Sequence, residues 1–291
     1  MFVSKVGVLG AGTMGGEIAQ VIASADVAVT MKDIKQDLVD AGLAKAREVT
    51  EGQLASLVAK EKITEEQAKA RGEEILGSIS GTTEYQGFGD VDFVIEAVPE
   101  RMEVKQAVFA ELDEVTPGHA ILASNTSALS ISEIGSATTR PEKVVGFHFF
   151  YPASVMRLIE IVEGDDTSEE TSQAAANFAM QIRKNPIRCG EDPGFVVNRV
   201  LNSAASEIWR HADESGVSVE EIDKEIAEAK VTPMGPFFLS DLLGLDTVLH
   251  VAEHLHASYG ERFYVHPAMK ELVEAGKLGQ KTGQGYYTHG G

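Results

Sequence analysis

The chain has 291 residues, 43 % of them hydrophobic and 24 % charged, with 28 glycines and 9 prolines. That length suits one large domain or two ordinary ones, and that composition excludes a disordered, collagenous or coiled-coil chain. The 25 basic and 45 acidic residues give a net charge of −20, which repels nucleic-acid phosphates and argues against a partner of that kind.

From the N-terminus, KVGVLG (5–10) reads as a strand, followed by a helix from Thr13 past Val21 and a second strand, VAVTM (27–31). A long polar helical pair spans Gln36 to Gly72 and breaks near Lys62 and Ile63, with Thr64 and Gln67 spaced as a capping box. The strand VDFVIEAV (91–98) precedes a helix over Met102–Val115, which stops at Pro117-Gly118. The strands AILASN (120–125), VVGFHFF (144–150) and LIEIVEG (158–164) follow, then a helix from Ser168 to Lys184. Most of these strand runs are nearly continuous in apolar residues, as expected where both faces are buried. The βαβα rhythm predicts a Rossmann-type, doubly wound, mainly parallel sheet.

Beyond Asn185-Pro186 and Asp192-Pro193-Gly194 the pattern changes. Phe195–His211, Val219–Ala229, Phe237–His256 and Pro267–Ala275 all read as helices, with no strand before the glycine-rich tail. The expected organisation is an α/β domain over 1–185 and an all-helical domain over 186–291. The chain has one cysteine, Cys189, which excludes an intrachain disulfide and a thiolate metal cluster. No metal is expected, and a reducing cytoplasm is the simplest compartment. No apolar run approaches the roughly 18 residues of a membrane helix. The start MFVSKVGVLG has no basic stretch ahead of a long apolar core, so no signal peptide is expected.

Gly10-Ala11-Gly12-Thr13-Met14-Gly15 matches G-x-G-x-x-G. Alone that pattern is weak, but here a strand precedes it and a helix follows. The first glycine permits the tight turn, the second lets backbone approach a pyrophosphate, and the third lets helix and strand pack closely. The helix N-terminus then offers N–H groups and a positive dipole end to phosphates. Asp33 ends the second strand, about 20 residues past the glycines, where a ribose is gripped. Its carboxylate would accept from the ribose hydroxyls and repel a 2′-phosphate, so NAD is favoured over NADP. Lys32 beside it softens that preference.

Taking a hydride from an alcohol needs a base for the hydroxyl proton and donors that hold the oxygen. Of eight histidines, His148 alone lies in an apolar run at a strand end, inside Gly146-Phe-His-Phe-Phe-Tyr-Pro152, where sheet ligands bind. The plainer reading is a core histidine bonded to backbone. Twelve residues on, Glu160 sits inside the apolar run LIEIVE. A carboxylate there needs a partner, and an imidazole would suit it in the manner of a base and its orienting acid; an edge-strand glutamate facing water is the alternative. Ser124-Asn125-Thr126-Ser127 clusters hydroxyls and an amide at another strand end, unless it merely caps the next helix. Asn198 is a polar residue on an apolar helix face, or else an inter-domain hydrogen bond.

In this order, GAGTMGGEIAQ, IEAVPE, SNTSALSI, GFHFFYPASVMRLIEI, PGFVVNRVL, MGPFFLSDLLGLD and GQKTGQGYY resemble the L-3-hydroxyacyl-CoA dehydrogenases over essentially the whole chain. The resemblance implies an NAD-dependent enzyme acting on an acyl-CoA thioester, monofunctional, and a homodimer joined through its helical domain. It implies that His148 is the base, that Glu160 pairs with it, and that Ser127 and Asn198 hold the substrate oxygen. Gly10 to Gly15 and Asp33 match the NAD grip. Glu100 and Lys105 match residues near the nicotinamide ribose, with Ser127 close by, and Lys281 matches a further NAD contact. Many members carry an asparagine that contacts the cofactor where this chain has Tyr151. Lys60, Lys62, Lys69 and Arg71, on the long helical hairpin, are candidates for the basic patch a CoA needs, or are solvated helix charges. Rival readings are a dehydrogenase of a free 3-hydroxy acid or sugar acid, and a non-catalytic NAD-binding relative. The 6-phosphogluconate-like enzymes, which use a lysine base, have no place for the HFF block and its glutamate.

Overall fold

Each apolar run of the first two thirds becomes a strand of one sheet, because a parallel strand covered by helices buries both of its faces. The computed structural model describes residues 2–290 and divides into two units, Met1–Glu191 and Asp192–Gly291. In the first unit β1 (Lys5–Leu9), β2 (Ala28–Lys32), β3 (Ile79–Thr82), β4 (Phe93–Glu96), β5 (Ile121–Ser124), β6 (Val144–Phe149), β7 (Leu158–Glu163) and β8 (Asn185–Gly190) lie in the order β3-β2-β1-β4-β5-β6-β7-β8. All neighbouring pairs are parallel except β6 and β7.

The apolar runs did not mark β3 or β8. Both are edge strands with partly exposed faces, so neither carries the continuous apolar run of a central strand. Because β8 adds the last edge of the sheet, the first unit extends to Glu191 rather than ending at 185.

Helices α1 (Thr13–Ala23), α2 (Gln36–Ala59), α3 (Glu65–Gly77), α4 (Met102–Val115), the short α5 (Ile131–Gly135) and α6 (Glu169–Gln181) complete this unit. The hairpin breaks where expected. Thr64 Oγ1 accepts from Gln67 N at 3.2 Å, and Thr64 N donates back to the Gln67 side chain at 2.9 Å. Ser168 caps α6 by accepting from Thr171 N.

The second unit holds α7 (Val197–Ser215), α8 (Val219–Glu228), α9 (Pro236–Leu243), α10 (Leu245–Tyr259) and α11 (Pro267–Glu274). Trp209, Phe237, Leu245 and Met269 centre its core. The run Phe237–His256 is two helices, not one. Gly244 interrupts it at φ +94°, a conformation that side chains rarely adopt.

Candidate active site

The glycine turn closes β1 onto α1 by steric necessity. Gly10 has φ +95°, and a Cβ there would lie 2.5 Å from the Ala97 carbonyl oxygen; one on Gly15 would lie 1.8 Å from the Gly10 oxygen. A Cβ on Gly12 would meet nothing within 4 Å, so the turn is open beside Gly12. Helix α1 begins there with no side-chain cap, which leaves its first N–H groups for an anion. Asp33 braces the turn, accepting from Ala11 N at 2.7 Å through one oxygen and from Ile34 N at 2.7 Å through the other. An open glycine cradle, an uncapped helix start and a carboxylate at the end of β2 fit a dinucleotide.

The carboxyl ends of β4, β5 and β6 carry a polar network. Ser124 ends β5, and the turn beyond it runs through Asn125, Thr126 and Ser127. The Asn125 side-chain oxygen accepts from Phe149 N at 2.9 Å, tying this turn to the end of β6. Ser127 Oγ lies 3.1 Å from His148 Nε2. His148 Nδ1 lies 2.8 Å from Glu160 Oε2, and the ring and carboxylate are 5 % and 0 % exposed. A carboxylate accepts from Nδ1–H, so the Nε2 lone pair faces the Ser127 hydroxyl. That is the arrangement of a general base held by an orienting acid.

Glu100 accepts from Thr126 Oγ1 at 2.5 Å and from Ser127 N at 2.8 Å. Burial pushes its carboxyl up, but the Lys105 ammonium and these two bonds outweigh that, leaving it below the ordinary glutamate value. Lys105 is 1 % exposed, and its ammonium lies 2.7 Å from Glu96 Oε1, 3.1 Å from Glu100 Oε2 and 3.5 Å from the Val98 carbonyl. Its three donors are thus directed at protein atoms, which places Lys105 behind Glu100. Glu96, wholly buried at the end of β4, is a functional candidate that the sequence reading passed over. Burial pushes its carboxyl up, against the Lys105 ammonium, the Ser124 hydroxyl and the Val98 N–H. The signal was available: an acid inside the apolar run VDFVIEAV, the same signal that singled out Glu160.

The structure therefore brings together Ser127, His148, Glu160 and Glu100, and separately Ala11 with Asp33. Tyr151 follows β6 with 56 % of its surface exposed. Lys60, Lys62 and Lys69 are exposed around the turn between α2 and α3. Arg71 is committed to Asp26 at 2.7 Å and Glu74 at 2.6 Å. Asn198, in the first turn of α7, and Lys281 belong to the second unit. Lys281 is ion-paired there with Asp246, in the first turn of α10.

Residues 5–192 match the family model described as 3-hydroxyacyl-CoA dehydrogenase, NAD binding domain, and residues 194–289 the one described as its C-terminal domain. The 3-hydroxybutyryl-CoA dehydrogenase of Clostridioides difficile is 41 % identical over 286 residues, covering 98 % of this chain and 99 % of that protein. A probable 3-hydroxybutyryl-CoA dehydrogenase of Deinococcus radiodurans is 38 % identical, covering 98 % of this chain and 100 % of its own. The crystal structure of (S)-3-hydroxybutyryl-CoA dehydrogenase from Ralstonia eutropha superposes with a TM-score of 0.91 at 37 % identity, over the full length of both chains.

Proposed function

The chain belongs to the 3-hydroxyacyl-CoA dehydrogenase family, an NAD-dependent oxidoreductase, and we propose that it interconverts a short 3-hydroxyacyl-CoA with its 3-oxo ester using His148 and Glu160 as the base pair. The observation that carries this reading is the unbroken contact from Ser127 Oγ to His148 Nε2 and from His148 Nδ1 to Glu160. NAD, when bound, supplies the hydride acceptor. Its pyrophosphate would lie on the Gly10–Gly15 turn and α1, its adenosine ribose at Asp33, and its nicotinamide ribose toward Glu100.

In the oxidative direction Ser127 donates to the substrate oxygen, and His148 Nε2 takes the hydroxyl proton. The imidazolium so formed is buried, where an isolated charge is costly. Glu160, already on Nδ1, offsets that cost and holds the ring. In the reductive direction the same ring returns the proton. The role that the family resemblance gives Asn198, binding at the same oxygen, is tested by Asn198→Ala, which should lower kcat and leave NADH affinity unchanged.

The first experiment follows NADH absorbance with acetoacetyl-CoA, beside free acetoacetate and beside NADPH. Rapid NADH loss with the thioester alone is the expected result. Turnover of the free acid and not the thioester would move the substrate to a hydroxy or sugar acid. Lys60 and Lys62 are proposed for the CoA phosphates, so Lys60→Glu with Lys62→Glu should raise KM for the thioester alone.

Among the described residues no helix is long and apolar enough to cross a membrane. A cytoplasmic home is proposed on the single cysteine. A homodimer is proposed with support from exposed apolar side chains on α7 and α9, Val200, Leu201, Phe238 and Leu243 among them. Light scattering tests it.

A further inference from the structure

Two hydrogen-bonded routes leave the buried carboxylate of Glu96 and meet at one turn. By the first, Glu96 Oε1 holds the Lys105 ammonium at 2.7 Å, and that ammonium lies 3.1 Å from Glu100 Oε2. The other oxygen of Glu100 then accepts from Thr126 Oγ1 at 2.5 Å and Ser127 N at 2.8 Å. By the second, Ser124 Oγ donates to Glu96 Oε2 at 2.6 Å and accepts from Thr126 N at 3.2 Å. The sheet builds this directly, because Glu96 and Ser124 are register partners at the ends of β4 and β5.

We propose that Glu96 is a positioning residue for the dehydrogenase reaction, fixing Glu100 and the Thr126–Ser127 turn and, through Ser127, the group that faces His148 Nε2. The inference rests on the reading of the site given above. Every group around Glu96 is a donor, namely the ammonium, the Val98 N–H at 2.7 Å and the Ser124 hydroxyl, which is the setting of an ionised carboxylate. The Lys105 ammonium is shared between two carboxylates of different burial, Glu96 at 0 % and Glu100 at 36 %. A buried ammonium needs a charged partner. With Glu96 neutral it would draw Glu100 inward, away from Thr126 and Ser127, and the turn would lose its acceptor. Misplacing a reacting group by about 1 Å costs on the order of 100-fold in rate, and a shift of a few tenths costs correspondingly less.

The experiment compares wild type, Glu96→Gln, Ser124→Ala, Glu100→Gln and the Glu96→Gln/Glu100→Gln double variant. It uses acetoacetyl-CoA and NADH, with circular dichroism to confirm folding. Glu96→Gln should lower kcat about 10- to 100-fold while KM for the thioester stays within about twofold. Ser124→Ala, which removes one route only, should lower kcat about threefold. The double variant should be at most about threefold slower than Glu100→Gln, because the two substitutions share the Lys105 route and differ only in the Ser124 route. A purely structural role for Glu96 would lower melting temperature and leave the kcat of folded enzyme unchanged. Wild-type kcat in folded Glu96→Gln, or losses that multiply in the double variant, would overturn the proposal. If Glu96→Gln does not fold, wild-type kcat in Ser124→Ala overturns it. Inactive wild-type enzyme would instead overturn the substrate reading, and the inference with it.

Discussion

His148 and Glu160 are register partners across the antiparallel pair β6–β7, with Nδ1 of one 2.8 Å from Oε2 of the other. The sheet itself sets this contact. Side chains alternate along a strand, so a slip of one residue would turn the carboxylate to the opposite face. The flanking apolar residues, Phe147 and Phe149 on β6 and Ile159 and Ile161 on β7, are buried and make such a slip costly. The geometry of the proposed base pair is thereby held by hydrophobic pairing.

His148→Gln should lower kcat about 100- to 10,000-fold, the usual contribution of a positioned base. Glu160→Gln should fall in the same range, since an amide can present the wrong group to Nδ1 and reverse the ring's tautomer. Neither residue belongs to the proposed cofactor grip, so NADH affinity should stay within about twofold. Steady-state kinetics beside NADH fluorescence titration checks both. Lost cofactor affinity in either variant would move these residues into the NAD site.

Asp33 holds the glycine turn through Ala11 N, and its remaining lone pairs are the proposed acceptors for a ribose. Asp33→Asn keeps the shape and removes the charge. Bonds to a charged acceptor are worth about 1.5–3 kcal/mol, so NADH KM should rise roughly tenfold or more. The preference for NADH over NADPH should narrow, because no carboxylate then repels a 2′-phosphate. An unchanged ratio of kcat/KM for the two cofactors would remove Asp33 from that role.

How much of this was legible in the sequence depends on burial. The central strands, the glycine turn and Asp33 each carry a local pattern with a mechanical cause, and His148 and Glu160 stood out as ionisable residues in apolar runs. Their pairing was expected, from the need of a buried carboxylate for a partner and from the resemblance, but the antiparallel turn-back of β7 that makes it in an otherwise parallel arrangement was not. The edge strands β3 and β8 lacked the pattern because one side of each faces no neighbour. Glu100 and Lys105 were named through the resemblance and Glu96 carried the signal of an acid in an apolar run, but the contacts that join the three were not legible. Lys105 lies on α4, where a lysine reads as a surface charge, and only the packed structure reveals it as 1 % exposed.

Lys184 is a second lysine of this kind. Its ammonium donates to the carbonyls of Ala153 at 2.6 Å and Met156 at 2.7 Å, and burial, chiefly, lowers its pKa. It thus pins the segment that follows β6. Lys184→Met keeps the apolar stem and should destabilise the first unit by about 2 kcal/mol, the scale of charged-donor bonds lost. Because Glu160 holds His148 independently, kcat should fall less than tenfold. Urea melts with parallel assays check this; a larger loss of kcat at unchanged stability would place Lys184 in the site.

His266 gives the second unit a dependence on pH. Burial pushes its ring below the ordinary histidine value of 6.5, and the Asp213 carboxylate opposes this only in part. Its Nδ1 lies 2.7 Å from the Tyr286 hydroxyl. Well above pH 6.5 the ring is neutral in both folded and unfolded chains and contributes no pH dependence. As pH falls below 6.5 the unfolded chain takes up the proton first, so stability declines until the lower folded value is passed, and then levels. Denaturant melts of the second unit at pH 7.5 and 5.5 should show that decline, and His266→Gln should reduce it. An equal decline in the variant would assign the effect to other groups.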